Sequence, residues 1–144
     1  MRRITRARLN PAALAADVSS PRRGAVASFV GVVRAFHAGR RVVGIAYDCF
    51  TPLAETELAR ILRRAEKKWP VAAAAAHRVG ELRVGEASLA VAAASAHRPQ
   101  AFAACRWIVE QVKRRLPVWK KERYVGGEGR WLPGCALHRA RARP

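Results

Sequence analysis

Residues 112–122 read Val-Lys-Arg-Arg-Leu-Pro-Val-Trp-Lys-Lys-Glu, and within them a helix gives way to a strand. Apolar residues precede Pro117 at spacings of three and four, which predicts an amphipathic helix with a buried stripe of Phe102, Cys105, Val109, Val112 and Leu116. Pro117 cannot continue that helix, and Val118-Trp119 favours an extended chain. Lys113 flanks the stripe and should be partly desolvated, whereas Lys120 leaves from the strand. The sequence therefore allows two lysines from two elements to meet at one cleft, although each also fits a solvated position, Lys113 on a helix face and Lys120 at a strand end.

Proline, glycine and apolar periodicity divide the rest of the chain. A basic loop at residues 37–41 is expected to join two apolar, β-branched strands at 24–33 and 42–50, followed by a helix that Pro70 ends. The other expected elements are a short helix capped by Asn10-Pro11, strands at 71–79 and 87–96, a short pairing segment within 80–86, a helix opened by Pro99, and a terminal hairpin of 119–124 with 130–132. This order predicts an α+β sandwich with a mostly antiparallel sheet and two long helices.

Length and composition bound the class of protein. The 144 residues contain no linker rich in Gly, Ser or Pro, which fits one domain, 1–144, with basic tails at about 1–9 and 133–144. The net charge of +18 suits phosphate-bearing ligands, nucleic acid, anionic membranes or an acidic protein partner. No apolar run approaches the ~20 residues that cross a bilayer, and no apolar signal core follows the Arg-rich start. We expect a soluble protein of the cytoplasm.

Two short segments could bind an anion. His97 and Arg98 stand where a strand ends and a helix begins, and the free N–H groups of a helix start attract phosphate. Arg34 ends an earlier strand, and a guanidinium can hold phosphate with two parallel hydrogen bonds. Each residue also fits a solvated position on the surface, so the sequence leaves both interpretations open.

Several other chemistries are disfavoured. The four histidines lack the spacing of metal ligands on one helix face, and no Gly-x-Ser-x-Gly, P-loop or Gly-x-Gly-x-x-Gly occurs. The three cysteines form no Cys-x-x-Cys pair, and Cys105 fits the buried stripe better than a nucleophile's position. Carboxylates are too scarce to favour a paired-acid hydrolase.

Taken in order, these motifs resemble the catalytic (large) subunit of the molybdopterin synthase family. The matching pieces are Gly24-Ala25-Val26, Phe29-x-Gly31-x-Val33-Arg34, Trp69-Pro70, His77-Arg78-x-Gly80-Glu81-Leu82, Gly85-Glu86, Ser95-Ala96-His97-Arg98 with Ala101-Phe102, and Lys113-x-x-x-Pro117-x-Trp119-Lys120-Lys121-Glu122. The resemblance spans roughly residues 24 to 131, which is most of the chain. The segment after Trp131 departs from the family's course, so no role is carried over there.

The resemblance implies an α/β hammerhead fold, a central homodimer, and a small ubiquitin-like sulfur carrier docked on each copy, which makes a heterotetramer. The implied enzyme is a sulfurtransferase that moves two sulfurs from the carrier's thiocarboxylated Gly-Gly tail to cyclic pyranopterin monophosphate. The product is the molybdopterin dithiolene of the molybdenum cofactor, and the resemblance implies neither a cofactor nor a metal for this subunit.

By resemblance, Lys113 and Lys120 are the catalytic residues. The implied substrate contacts are Val32, Val33, Arg34, His97, Arg98, Lys113, Lys120, Lys121 and Glu122, and the implied pocket wall is Phe29 and Val109. The physical reading agrees, because substrate phosphate and carrier thiocarboxylate are two anions whose repulsion clustered cations offset.

Two other functions remain open at this point. A basic nucleic-acid-binding module would use the basic tails and Trp119 beside Lys120-Lys121, although no RNA-recognition aromatic pair or helix-turn-helix pattern occurs. A catalytically silent paralogue would keep only the dimer and carrier interfaces. Retention of both lysines and of Ser95-Ala96-His97-Arg98 argues against the silent paralogue.

Overall fold

The computed structural model describes residues 2–133. Its elements are β1 (Arg2–Thr5), α1 (Pro11–Val18), β2 (Ala25–Val32), β3 (Phe36–His37), β4 (Arg40–Cys49), α2 (Thr51–Lys68), β5 (Val71–Arg78), β6 (Gly80–Arg83), β7 (Ala87–Ser95), α3 (Arg98–Arg115), β8 (Val118–Tyr124), β9 (Gly127–Glu128) and β10 (Leu132–Pro133). The expected α+β class with two long helices is confirmed, and every strand pair in the described part of the chain is antiparallel except β1 with β5.

The first sheet has the strand order β1-β5-β7-β2 and carries helices on both faces. On one face, Leu14 and Val18 of α1 pack on alanines of β5 and β7. On the other face, α2 and α3 bury the main core, which includes Leu58, Ile61 and Ile108. The alanine-rich strands fit this sandwich, because a strand covered on both faces reads as continuously apolar and small side chains let helices approach.

The second sheet has the order β10-β8-β4-β3, with β6 also paired to β4 and β9 to β8. It has a small core of its own, formed by Val33, Val42, Ile45 and Leu82. Tyr47 packs against this core and against the main one, so it lies where the two halves of the fold meet. Leu116 and Val118, which follow α3, belong to the main core against which Tyr47 also packs, so α3 ends near this junction.

The buried stripe of α3 differs from the expected one. The buried residues are Ala101, Ala104, Cys105, Ile108 and Val112. Phe102 is 66% exposed and Val109 only partly buried, because the helix turns its small residues to the sheet and its Phe102 side toward an open groove beside β2. Cys105 does lie in the core, where burial raises the pKa of its thiol to about 11 and leaves it unreactive at neutral pH.

The basic loop expected at residues 37–41 is a tight hairpin instead. β3 and β4 pair Phe36 with Arg41 and His37 with Arg40, which leaves two turn residues, Ala38 and Gly39. Both have positive φ, 48° and 75°, as a type I′ turn requires. The usual sequence signal for this turn is Asn-Gly or Asp-Gly, and Ala-Gly does not give it.

The expected N-terminal tail at 1–9 is also partly structured. β1 runs parallel to β5, the Ile4 N–H donates to Glu55 Oε1 at 2.6 Å, and the Val79 N–H donates to the Thr5 carbonyl at 2.8 Å. One apolar residue among Arg2–Thr5 is too weak a pattern to predict a strand. The other expected tail, 133–144, lies outside the described residues apart from Pro133.

Several local predictions are confirmed. The Asn10 side chain caps α1 by accepting from the Ala13 N–H at 3.0 Å, and the short segment between β5 and β7 pairs as β6. Gly31 precedes a bulge in the pairing of β2 with β7, a place in a strand where glycine is common. Neither α2 nor α3, the longest helices described, has the continuous apolar stretch that a membrane span requires.

Candidate active site

A cavity of about 160 Å³ opens where β2 ends, between the β3–β4 hairpin, β8 and the last turn of α3. Its lining residues are Gly31, Val32, Arg34, Phe36, His37, Val42, Ile45, Tyr47, Ser88, Lys113, Lys120 and Glu122. The fold therefore brings Lys113 of α3 and Lys120 of β8 to one cavity, and it adds Arg34 and His37 from the opposite wall. Such a concentration of cations suits a ligand with more than one negative charge.

Side-chain alternation along β8 decides which of its residues face the cavity. Lys120, Glu122 and Tyr124 share one face of the strand, because successive side chains of a strand point to opposite sides. Lys121 points the other way, where its Nζ lies 3.1 Å from Glu128 Oε2 and 5.1 Å from the centre of the Trp131 ring. Lys121, expected from the sequence as a substrate contact, therefore lies outside the cavity.

Glu122 is a buried carboxylate, 7% exposed, at the inner end of the cavity. Its Oε2 accepts a hydrogen bond from the Tyr124 hydroxyl, and its Oε1 lies 3.4 Å from Lys120 Nζ. Burial by itself would raise the pKa of Glu122, but the Tyr124 hydrogen bond and the positive charges of Lys120 and His37 outweigh it, so the pKa lies below its usual value. The carboxylate is thus ionised at neutral pH and holds Lys120 in a fixed direction.

Lys113 is exposed, which corrects the expectation that it is partly desolvated. It stands on the last turn of α3 at the rim of the cavity, where the single chain leaves one side open to water. Lys120 is better enclosed, with a side chain 20% exposed. In one chain alone, the two lysines therefore experience different solvation.

His77 lies behind the cavity wall and was not singled out by the sequence analysis as a functional residue. Its ring stacks edge-on against Tyr47, which lines the cavity, at 5.2 Å between centroids, and its Nδ1 lies 2.9 Å from the Arg78 carbonyl. Burial lowers the pKa of His77 to about 4, and the positive charge of Lys113 acts in the same direction. His77 is therefore neutral near pH 7, and its Nδ1 carries the proton donated to that carbonyl.

Arg34 and His37 form the hairpin side of the cavity. The Arg34 Nη2 lies 3.4 Å from His37 Nδ1, and Val32 lies just before Arg34 on the same rim. Val33, an expected substrate contact, is buried in the small core instead, because its side chain points away from the rim between Val32 and Arg34. His37 could have been found only by recognising the Ala38-Gly39 turn that folds it back.

The remaining expected site residues lie elsewhere in the chain. His97 and Arg98 are exposed at the start of α3, and 15 residues of helix at 1.5 Å each separate Arg98 from Lys113 by about 22 Å. Phe29 and Val109 line a separate groove of about 300 Å³ between β2 and α3. One chain therefore does not bring these four residues to the lysines. Within residues 2–133, no three His, Cys, Asp or Glu side chains are grouped so that they could hold a metal ion.

The sequence matches the family model described as MoaE protein over residues 4–115. It is 42% identical to the molybdopterin synthase catalytic subunit of Synechococcus elongatus over 85% of this chain and 76% of that protein. It is 37% identical to the molybdopterin synthase catalytic subunit of Thermoplasma volcanium over 89% of this chain and 94% of that protein. The fold resembles the crystal structure of molybdopterin synthase from Staphylococcus aureus, with a TM-score of 0.85, 29% identity, and coverage of 90% of this chain and 94% of that one. Since the family model spans most of the chain and these relatives align along most of their length, the chain belongs to the MoaE family.

Proposed function

We propose that this chain is the catalytic subunit of a molybdopterin synthase. It transfers two sulfurs from the thiocarboxylated C-terminus of a small sulfur-carrier subunit to cyclic pyranopterin monophosphate, which forms the dithiolene of molybdopterin. The observation that carries the proposal is the convergence of Lys113, Lys120 and Arg34 on one cavity in a chain whose relatives are molybdopterin synthase catalytic subunits.

The chemistry needs two anions in one place, the substrate phosphate and the carrier thiocarboxylate. Arg34 at the rim suits the phosphate, because its guanidinium donates in a planar fork. Lys113 and Lys120 suit the thiocarboxylate and the oxyanion that forms when water attacks the carrier's carbonyl carbon, which breaks the carbon–sulfur bond, leaves the sulfur on the substrate and releases the carrier as a carboxylate. Glu122 holds Lys120 in a fixed direction, so both lysines are the proposed catalytic residues and Val32, Arg34 and Glu122 the proposed contacts.

A second copy of the chain is the natural source of His97 and Arg98 for this site. The cavity of about 160 Å³ is smaller than the 300–1,000 Å³ typical of ligand pockets, and Lys113 stands open at its rim. A twofold axis across the middle of α3 would lay two such helices antiparallel and bring Arg98 of one copy to Lys113 of the other.

The surface beside α3 supports the same homodimer. β2 is an edge strand of the first sheet, and Phe102 of α3 stands exposed across the groove that also holds Phe29 and Val109. An apolar edge of this kind is normally covered. In the dimer, Phe29 and Val109 would then line the interface next to the site.

The carrier completes the assembly as a heterotetramer. The relatives' printed name, catalytic subunit, implies a second subunit in those enzymes, and the charge of +18 suits an acidic carrier surface. We place the enzyme in the cytoplasm and treat residues 1–144 as one domain.

The experiment that tests the function is product formation. The purified chain, a thiocarboxylated carrier and cyclic pyranopterin monophosphate should together yield molybdopterin. No product despite measured carrier binding would support the silent paralogue. Sequence-independent binding of DNA or RNA without carrier binding would support the nucleic-acid module, which is disfavoured because Lys121 and Arg123 on the outer face of β8 are already paired with carboxylates.

A further inference from the structure

Tyr124 lies outside the set of residues assigned so far, yet it touches the site's only buried carboxylate among the described residues. Its hydroxyl donates to Glu122 Oε2, while Lys120 approaches Oε1 of the same group. The three side chains occupy alternate positions on one face of β8, which sets them about 7 Å apart along the strand. Tyr124 contacts the small core, and Glu122 and Lys120 line the cavity, so the three side chains connect the two.

A carboxylate as enclosed as Glu122 needs partners for both oxygens, because an ionised group left unpaired in a buried position is strongly destabilised. Lys120 serves one oxygen and Tyr124 the other. The Tyr124 bond also fixes the plane of the carboxylate, so it decides where Oε1 points and therefore where Lys120 is held.

Tyr124 is itself held in place from two sides. Its ring packs on the small core, and the Arg40 guanidinium stacks over the outer face of the ring, 3.8 Å from its centre. The Val125 N–H donates to the Arg41 carbonyl at 3.0 Å, which fastens this end of β8 to the start of β4. Because Tyr124 is anchored in this way, its hydroxyl can hold the Glu122 carboxylate in one orientation.

From this geometry we infer that Tyr124 is a positioning residue of the sulfur-transfer reaction, which acts through Glu122 to hold Lys120 in its working orientation. The inference rests on the proposed function. Tyr124 does not line the cavity and has no direct role toward the substrate.

Other charged groups also face Glu122 and influence its pKa. They are Lys120 on the same strand, His37 of β3, Arg34 after β2 and Lys113 of α3. Positive charge on each of these groups favours the ionised carboxylate. Removing the Tyr124 hydroxyl leaves all of them in place, and the pKa of Glu122 should then rise because burial is less well opposed.

The test is Tyr124→Phe, which keeps the ring and its contacts with Arg40 and the small core. We expect kcat for molybdopterin formation to fall about tenfold, as for a lost hydrogen bond to a charged group, and the acid limb of the pH profile to move to higher pH. Arg41→Ala removes a neighbouring exposed arginine and leaves Tyr124 and Arg40 in place, so its acid limb should stay near that of the wild type. An unshifted acid limb in Tyr124→Phe would overturn the inference.

A double-mutant cycle separates this role from a general loss of packing. In a Glu122→Gln background, Tyr124→Phe should change the single-turnover rate less than twofold, because the carboxylate through which it acts is gone. Equal losses in both backgrounds would contradict the inference.

Carbon-13 titration of the Glu122 carboxylate, assigned by its absence in Glu122→Gln, gives a readout without turnover. Its midpoint should move to higher pH in Tyr124→Phe and stay unchanged in Arg41→Ala. No product from the wild type would contradict the proposed function. An unchanged titration midpoint of Glu122 in Tyr124→Phe would contradict only the positioning role of Tyr124.

Discussion

Adjacent lysines in this chain have different surroundings, and strand geometry is the reason. Lys120 is held by buried Glu122 inside the cavity, whereas Lys121 pairs with exposed Glu128 on the opposite face. The sequence identified the Trp-Lys-Lys-Glu segment as important but could not say which lysine faces inward. That answer depends on the register between β4 and β8, which pairs Tyr47 with Lys120.

His77 gives a prediction at the residue scale. Burial holds the pKa of His77 in the folded state at about 4, below the usual value near 6.5. Between these two pH values, His77 is protonated in the unfolded chain but not in the folded chain. The stability that depends on neutral His77 is complete above pH 6.5 and is lost as the pH falls toward 4. The shift of about 2.5 units corresponds to up to roughly 3 kcal/mol.

Urea unfolding at fixed protein concentration from pH 7 to pH 4.5 measures this loss. His77→Gln should lose less free energy of unfolding over that range than the wild type does. Identical slopes for the wild type and His77→Gln would show that His77 is not the group that titrates.

At the scale of elements, long periodic segments were predictable and short pairings were not. The apolar stripe of α2 and the apolar runs of β5 and β7 are long enough for the sequence to predict the type of each element. β1 depends on pairing with the distant β5, and the β3–β4 hairpin depends on two residue pairs across an Ala-Gly turn, so neither leaves a strong pattern in the local sequence. The hairpin matters most, because it carries His37 to the cavity.

The hairpin turn gives a prediction of its own. Ala38 adopts φ of 48°, a left-handed conformation that costs an L-residue with a β-carbon roughly 1 kcal/mol and that Asn tolerates better. Ala38→Asn should therefore raise the melting temperature by about 2–4 °C. Ala38→Val, which is β-branched, should lower it, and the reverse order in thermal unfolding would argue against a type I′ turn.

At the scale of the whole molecule, the separation of Lys113 from His97 and Arg98 is informative. The sequence grouped them through the family resemblance, and one chain holds them about 22 Å apart along α3. No local pattern could have revealed this, because the site depends on how two copies meet. The proposed homodimer reconciles the two observations.

Complementation tests that dimer. Lys113→Ala and Arg98→Ala should each be nearly inactive alone, but co-expression should restore activity. In a twofold dimer, half of the randomly assembled molecules are mixed and each has one intact site, so about a quarter of wild-type activity should return. No recovery despite proven mixed dimers would mean that both residues serve the same chain's site, and an active Arg98→Ala variant would mean that Arg98 serves no site.

The central claim is that Lys113 is a catalytic residue of a molybdopterin synthase, and a single-turnover assay of sulfur transfer tests it most directly. Wild type, Lys113→Ala and the neighbouring exposed variant Arg114→Ala would be saturated with thiocarboxylated carrier and given cyclic pyranopterin monophosphate. We predict molybdopterin from the wild type, a loss of about 100-fold or more in Lys113→Ala, as for removal of an oxyanion-stabilising group, and a rate within about twofold of wild type in Arg114→Ala. A wild-type rate in Lys113→Ala would contradict the account.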